Sequence, residues 1–177
     1  LGSGQLEDQI QPTRWTGLEL IPSELDLCGV EVELARVERN VERLRSALEP
    51  LRKQPRYSLI VIDCPPSLGL LTMNAFVAAD AVLVPLQCEY YALEGISILE
   101  RILNQVRTSG FNASLRLLGI VMTMYDGRTR LSHQVVEEVR QYFGEAVFET
   151  VIPRTTRLAE APSFGKLEYG KIPRLRS

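Results

Sequence analysis

The sequence predicts an α/β fold, a mostly parallel sheet with helices on both faces. Short apolar runs bounded by polar residues or proline recur along the chain, and longer segments between them carry apolar residues at helical spacing. Strands alternating with helices form βαβ units, whose crossovers join parallel neighbours. The 177 residues suffice for one domain with a substantial core, so 1–177 is read as a single unit.

The elements are expected in this order. Leu18–Ile21 reads as a strand, followed by helices over Glu24–Ala35 and Val37–Leu51. In the helices Leu34, Val37, Val41, Leu44, Leu48 and Leu51 keep near-helical spacing, Arg and Glu fill the other faces, and Pro50 and Pro55 suggest the close. Leu59–Ile62 and Ala81–Leu86 read as strands. Leu93–Val106 then places Leu93, Ile96, Leu99, Ile102, Leu103 and Val106 on one stripe, with Gly110 as its stop. Leu117–Thr123 is a strand, Ser132–Phe143 a helix repeating Val135, Val136 and Val139, and Val147–Ile152 a last strand. From Lys166 to Ser177 apolar periodicity is lost and Lys166, Lys171, Arg174 and Arg176 face Glu168 alone, which predicts a loose basic tail.

Composition excludes several classes. Hydrophobic residues make up 45%, charged residues 24%, and the net charge is −2, so bulk charge gives no case for nucleic acid and only a local patch can supply one. Cys28, Cys64 and Cys88 are too scattered for a disulfide framework or a metal pair, which points to a reducing cytoplasm. No apolar run reaches the roughly 18 residues of a membrane span, and LGSGQLEDQI has no basic-then-apolar leader. His133 is the only histidine and reads as a surface residue, so hydrolase triads lack support.

The segment most informative about chemistry is Tyr57-Ser-Leu-Ile-Val-Ile-Asp63-Cys-Pro65-Pro66. A buried parallel strand ending in Asp63 puts a carboxylate where open α/β sheets place their ligands, and the two prolines turn the chain away at once. Asp63 there could hold the water shell of Mg²⁺ beside nucleotide phosphates, or simply cap the helix that starts near Ser67. By themselves Thr123 and Met124 read as core.

IVIDCPPSLGLLTMNAFVAADAVLVPLQCEYYALEGI, then MTMYDGRTRLSHQVVEEVRQYFG, then VIPRTTRLAEAPSFGK resemble the ParA/Soj family of chromosome and plasmid partitioning ATPases, from about Leu18 to Lys166. The resemblance implies a P-loop NTPase-like fold of the ParA/MinD type that uses ATP and Mg²⁺. It matches Asp63 to the Walker B aspartate acting on Mg²⁺ through water, and Asp63–Leu70, with Pro65 and Pro66, to the γ-phosphate switch. Thr123, Met124, Pro153 and Arg154 match positions around the adenine, and Gln87–Gly95 a signature near the dimer surface, although Tyr90 and Tyr91 read equally well as packing residues. Non-specific DNA binding falls on Arg128 and Arg157, with Arg130, Arg154 and Lys166 able to enlarge the patch.

The family's first strand and its KGGxGKT phosphate loop are not in these 177 residues. Gly165–Lys171 has GxxxxGK spacing, but Ile172 replaces the Mg²⁺-binding hydroxyl and Pro173 obstructs a helix. The chain as written is therefore expected to bind ATP poorly and to lack the catalytic aspartate. The implied whole is a homodimeric, cytoplasmic, nucleoid-associated ATPase that segregates DNA with a ParB-type partner. The alternatives are a non-catalytic DNA- or partner-binding regulator derived from it, and a MinD-like membrane-positioning ATPase. The tail KLEYGKIPRLRS lacks the amphipathic helix the latter requires. Arg36, Arg39, Arg43, Arg45, Arg52 and Arg56 are interspersed with Glu38, Glu42 and Glu49, which favours an ion-paired surface over a DNA site.

Overall fold

In the computed structural model, which describes residues 5–23, 27–54 and 56–164, a 3₁₀ turn at Leu6–Gln9 leads into a short antiparallel hairpin of β1 (Gln11–Pro12) and β2 (Glu19–Leu20). Its turn is closed by the Thr13 hydroxyl, which donates to the Leu18 carbonyl at 2.7 Å and accepts from the Trp15 N–H at 3.2 Å. Gly17 takes φ +81° there, a conformation a side chain would disfavour. The expected strand Leu18–Ile21 is therefore a hairpin arm. The described residues fall into two units, one running up to Asp80 together with Val106–Leu115, the other comprising Ala81–Gln105 and the residues from Arg116 onward.

In the first unit the helices are α1 (Leu27–Leu34), α2 (Arg43–Lys53) and α3 (Leu70–Ala78). The helix expected from Val37 starts later, because Arg39 adopts the left-handed region (φ 55°) and Asn40–Glu42 make a 3₁₀ turn first. Pro50 does not close α2 but sits inside its last turns. Leu48 and Leu51 of α2 are buried with Ala78 of α3, and Leu44, Tyr57 and Ile62 pack against them.

Side chains satisfy the helix ends. Asn74 Oδ1 accepts from the Leu44 N–H at 3.1 Å in the first turn of α2, and Glu31 Oε1 accepts from the Leu71 N–H at 3.0 Å in the first turn of α3. Gly69, at the N-cap of α3, leaves room for that carboxylate, since a Cβ there would stand 2.6 Å from Glu31 Oε1. The buried Asn112 amide donates to the carbonyls of Phe76, Val77 and Ala79 where α3 ends.

The arginines around α2 are engaged, though among the described residues only Arg39 pairs with one of the interspersed glutamates. Arg39 pairs with Glu42, Arg56 with Glu19, Arg52 with Asp80, and Arg45 donates to the Phe111 carbonyl. Tyr57 also hydrogen-bonds Glu19.

One expected strand is absent. Leu59–Ile62 belongs to no ladder among the described residues, with Leu59 and Val61 left 76% and 79% exposed. Such a strand gains its stability from partners along its edges and layers on its faces, and an apolar run alone supplies neither.

The second unit holds the parallel sheet. β3 (Ala81–Gln87), β4 (Arg116–Tyr125) and β5 (Val147–Pro153) lie side by side in the order β3-β4-β5, both pairs parallel. The connections are α4 (Ala92–Thr108) and α5 (Arg130–Phe143), close to their expected bounds. Ile96 of α4 and Val135, Val136 and Val139 of α5 join Val84, Ile120, Met122 and Val151 of the strands in one buried cluster. This is the α/β architecture expected from the alternating pattern. A short helix, α6 (Thr156–Glu160), follows β5. The basic tail and the Gly165–Lys171 segment lie outside the described residues.

Candidate nucleotide and nucleic-acid site

Because β3, β4 and β5 are parallel, their carboxyl ends Gln87, Tyr125 and Pro153 share one edge, and the loops that follow meet there. A cavity of about 500 Å³ opens between the last two, lined by Tyr125, Asp126, Gly127, Arg128, Val151, Pro153, Arg154, Thr155 and Thr156. The Arg154 N–H donates to the Tyr125 carbonyl at 2.9 Å and locks the two strand ends together. Arg154 also reaches Glu89, beyond β3, at 3.6 Å.

The β4–α5 loop is a braced turn. The Thr129 N–H and hydroxyl both donate to the Asp126 carbonyl, the Asp126 N–H donates to Ser132 Oγ, and Thr129 Oγ1 caps α5 by accepting from the Ser132 N–H. His133 is exposed, as expected, and also braces the loop. Its ring lies 3.1 Å from the Tyr125 hydroxyl and 3.0 Å from the Gly127 carbonyl, tying α5 back to the loop. The Asp126 carboxylate accepts from the Arg128 N–H and guanidinium, whose bonds hold its carboxyl down at about 2, so it is ionised at neutral pH.

Of the residues expected around a base, Pro153 and Arg154 line this cavity. Thr123 and Met124 do not. Thr123 is half-buried on β4, where its carbonyl accepts the Cys88 N–H, and Met124 is 41% exposed with φ 53°, an unusual backbone state for a side chain of its size. Arg128 lines the cavity, while Arg157 is exposed on α6 immediately after the lining residues Thr155 and Thr156. Thr155 caps α6 by accepting from the Leu158 N–H at 3.2 Å. Asp63, Pro65 and Pro66 are exposed in the other unit, ahead of α3, where the Thr72 hydroxyl donates to the Ser67 carbonyl.

Sequence reasoning overlooked Tyr125, Asp126, Thr155 and Thr156. An Asp-Gly pair signals a turn and a Thr before a helical run signals a cap, so the local structure was readable, but not the convergence on one cavity. Among the described residues no group of three or more acidic, Cys or His side chains could hold a metal, and no helix is long and apolar enough to cross a membrane. Cys64 and Cys88 are poor nucleophiles. Burial pushes the Cys88 thiol up to about 11, and burial with the nearby Asp63 charge raises Cys64.

A parallel α/β sheet with a cavity at its carboxyl strand ends defines the open α/β class of ligand-binding folds. The sequence model of the AAA domain family matches residues 1–117. The chain is 51% identical over 166 residues to the chromosome partitioning protein ParA of Myxococcus xanthus, and 49% identical over 161 residues to the sporulation initiation inhibitor protein Soj of Bacillus subtilis. These matches cover 94% and 90% of this chain but 58% and 62% of the relatives, so it spans less than two thirds of their length. Cobyrinic acid a,c-diamide synthase from Mycobacterium smegmatis, solved with ADP and magnesium, superposes with a TM-score of 0.77 at 32% identity, covering 98% of this chain and 73% of that one. The chain belongs to the ParA/Soj family.

Proposed function

We propose that this chain is the greater part of a ParA-like partitioning ATPase, which dimerises with ATP, binds DNA without sequence preference on the nucleoid and segregates it with a ParB-type partner. The observation carrying this reading is the identity of about half the residues, over nearly the whole chain, with proteins named for chromosome partitioning. The cavity supports it. Its volume, about 500 Å³, lies within the roughly 300–1,000 Å³ of small-molecule sites, and it combines an apolar wall from Val151 and Pro153 with the polar Thr155, Thr156 and Arg154.

In this reading Thr123, Met124, Pro153 and Arg154 surround the adenine, and of these Pro153 and Arg154 line the cavity. Asp63 holds Mg²⁺ through water, Pro65 and Pro66 belong to the switch that responds to the γ-phosphate, and the exposed Tyr90 and Tyr91 stand near the dimer surface. ATP and Mg²⁺ supply the γ-phosphate chemistry when bound. The KGGxGKT phosphate loop is not among these 177 residues. Calorimetric titration of the 177-residue chain with a slowly hydrolysed ATP analogue and Mg²⁺ is therefore expected to show weak binding or none. Tight binding abolished by Asp63→Ala would overturn that expectation.

For DNA the reading places phosphate contacts on Arg128 and Arg157, with Arg130 alongside. Arg128→Ala is expected to weaken binding to unrelated duplexes alike and to lower the slope of log K against log salt by about 1. Fluorescence anisotropy across a salt series measures this, and an unchanged slope removes Arg128 from the footprint.

A further inference from the structure

We propose that Asp126 is a charge gate on the proposed DNA surface: it holds the Arg128 guanidinium in a two-point pair that a nucleic-acid phosphate has to displace. The inference rests on the reading of Arg128 as a phosphate contact and adds a residue that reading does not contain.

Arg128 Nε donates to Asp126 Oδ1 at 2.9 Å and Nη2 donates to Oδ2 at 2.7 Å. This fork-to-carboxylate geometry is the one in which a guanidinium takes a phosphate, so the carboxylate occupies the donors a phosphate needs. The arginine side chain is 89% exposed and within reach of a duplex. The aspartate is fixed, because its N–H is bonded to Ser132 Oγ and its carbonyl to Thr129. When a phosphate arrives, Arg128 moves and Asp126 stays.

The pair is not needed to build the turn. The Thr129 and Ser132 bonds close the loop, and the Arg128 N–H to Oδ1 bond, 3.1 Å, requires only an oxygen at that position. The guanidinium contact adds nothing to that frame and affects only how the charge is presented. The other arginines at this edge are held differently. Arg154 reaches Glu89 at 3.6 Å, and Arg130 and Arg157 make no ion pair among the described residues. Arg128 is thus the one held by a two-point pair, beside the single looser contact of Arg154.

Asp126→Asn keeps the Oδ1 acceptor for the Arg128 N–H and removes the charge. Duplex affinity by fluorescence anisotropy, at one salt concentration, is compared for the unaltered protein, Asp126→Asn, Arg128→Ala and the double variant, each checked for folding by circular dichroism. Release of an exposed pair predicts that Asp126→Asn binds about 2- to 5-fold tighter, and that this gain vanishes on the Arg128→Ala background. An equal gain on that background would mean a general charge effect, and an unchanged or weaker affinity would mean that Asp126 only orients Arg128. Either result overturns the gate while leaving DNA binding intact. Absence of duplex binding by every variant overturns the DNA reading itself and the gate with it. If Asp126→Asn fails to fold, Asp126→Ser also offers an oxygen to the turn and carries the same expectation.

Discussion

Ile120→Ala is expected to lower the unfolding free energy by about 2–5 kcal/mol, the loss typical of a large aliphatic side chain removed from a packed interior. Ile120 has no exposed surface, and it sits on the middle strand between Val84 of β3 and Val147 of β5. It belongs to the cluster formed by Ile96 of α4, Val135 and Val139 of α5 and Met122 on the same strand. The substitution removes contacts to both neighbouring strands and to the helical layer, and a site walled by regular elements cannot collapse to refill the space. Leu118→Ala, two residues away, is the internal control. Leu118 is 49% exposed, so its truncation should cost under about 1 kcal/mol. Urea unfolding separates the two, since a shifted midpoint at constant slope reports stability alone. Equal losses would mean that Leu118 is packed as closely as Ile120, contrary to its exposure.

The same strand shows why part of the architecture was legible in the sequence. Arg116–Tyr125 is a near-continuous apolar run and the valines of α5 recur at helical spacing, and both patterns are properties of the segment itself. Leu59–Ile62 is the opposite case. Its residues suit a buried strand, but burial is conferred by neighbours, and nothing within the run says whether they flank it. The site divides in a similar way. Pro153 and Arg154 could be placed at a strand end from the motif they belong to, because strand ends in a parallel sheet gather at one edge. The alliance of Asp126 with Arg128 could not, since a carboxylate two residues from an arginine in a turn pairs or does not according to side-chain geometry. The role of His133 depended on the fold returning α5 to Tyr125 and Gly127, for which a lone histidine carries no sign.

Asn112 gives the second large effect, because it serves a helix more than thirty residues earlier in sequence. Its amide, in a side chain only 8% exposed, donates to the carbonyls of Phe76 at 2.9 Å and Ala79 at 2.7 Å, with Val77 at 3.3 Å. These are carbonyls that the end of α3 cannot satisfy within the helix. Asn112→Ala leaves them buried without that donor and is expected to cost about 1–3 kcal/mol. Asn112→Asp should cost more at neutral pH, since it turns a carboxylate toward carbonyl oxygens in a site with little water. Burial raises the carboxyl's folded-state pKa above its unfolded value, so the folded state binds the proton more readily. The penalty of Asn112→Asp should accordingly shrink as pH falls through that folded-state value, where the protonated group regains one donor, while the penalty of Asn112→Ala stays flat. Urea midpoints at pH 7 and pH 5 provide the comparison. Hydrogen exchange gives the local readout, because α3 follows directly on the Asp63–Gly69 segment. If Asn112 anchors the far end of that helix, its α3 amides should exchange faster in both variants at pH 7, and protection should return at low pH only in Asn112→Asp.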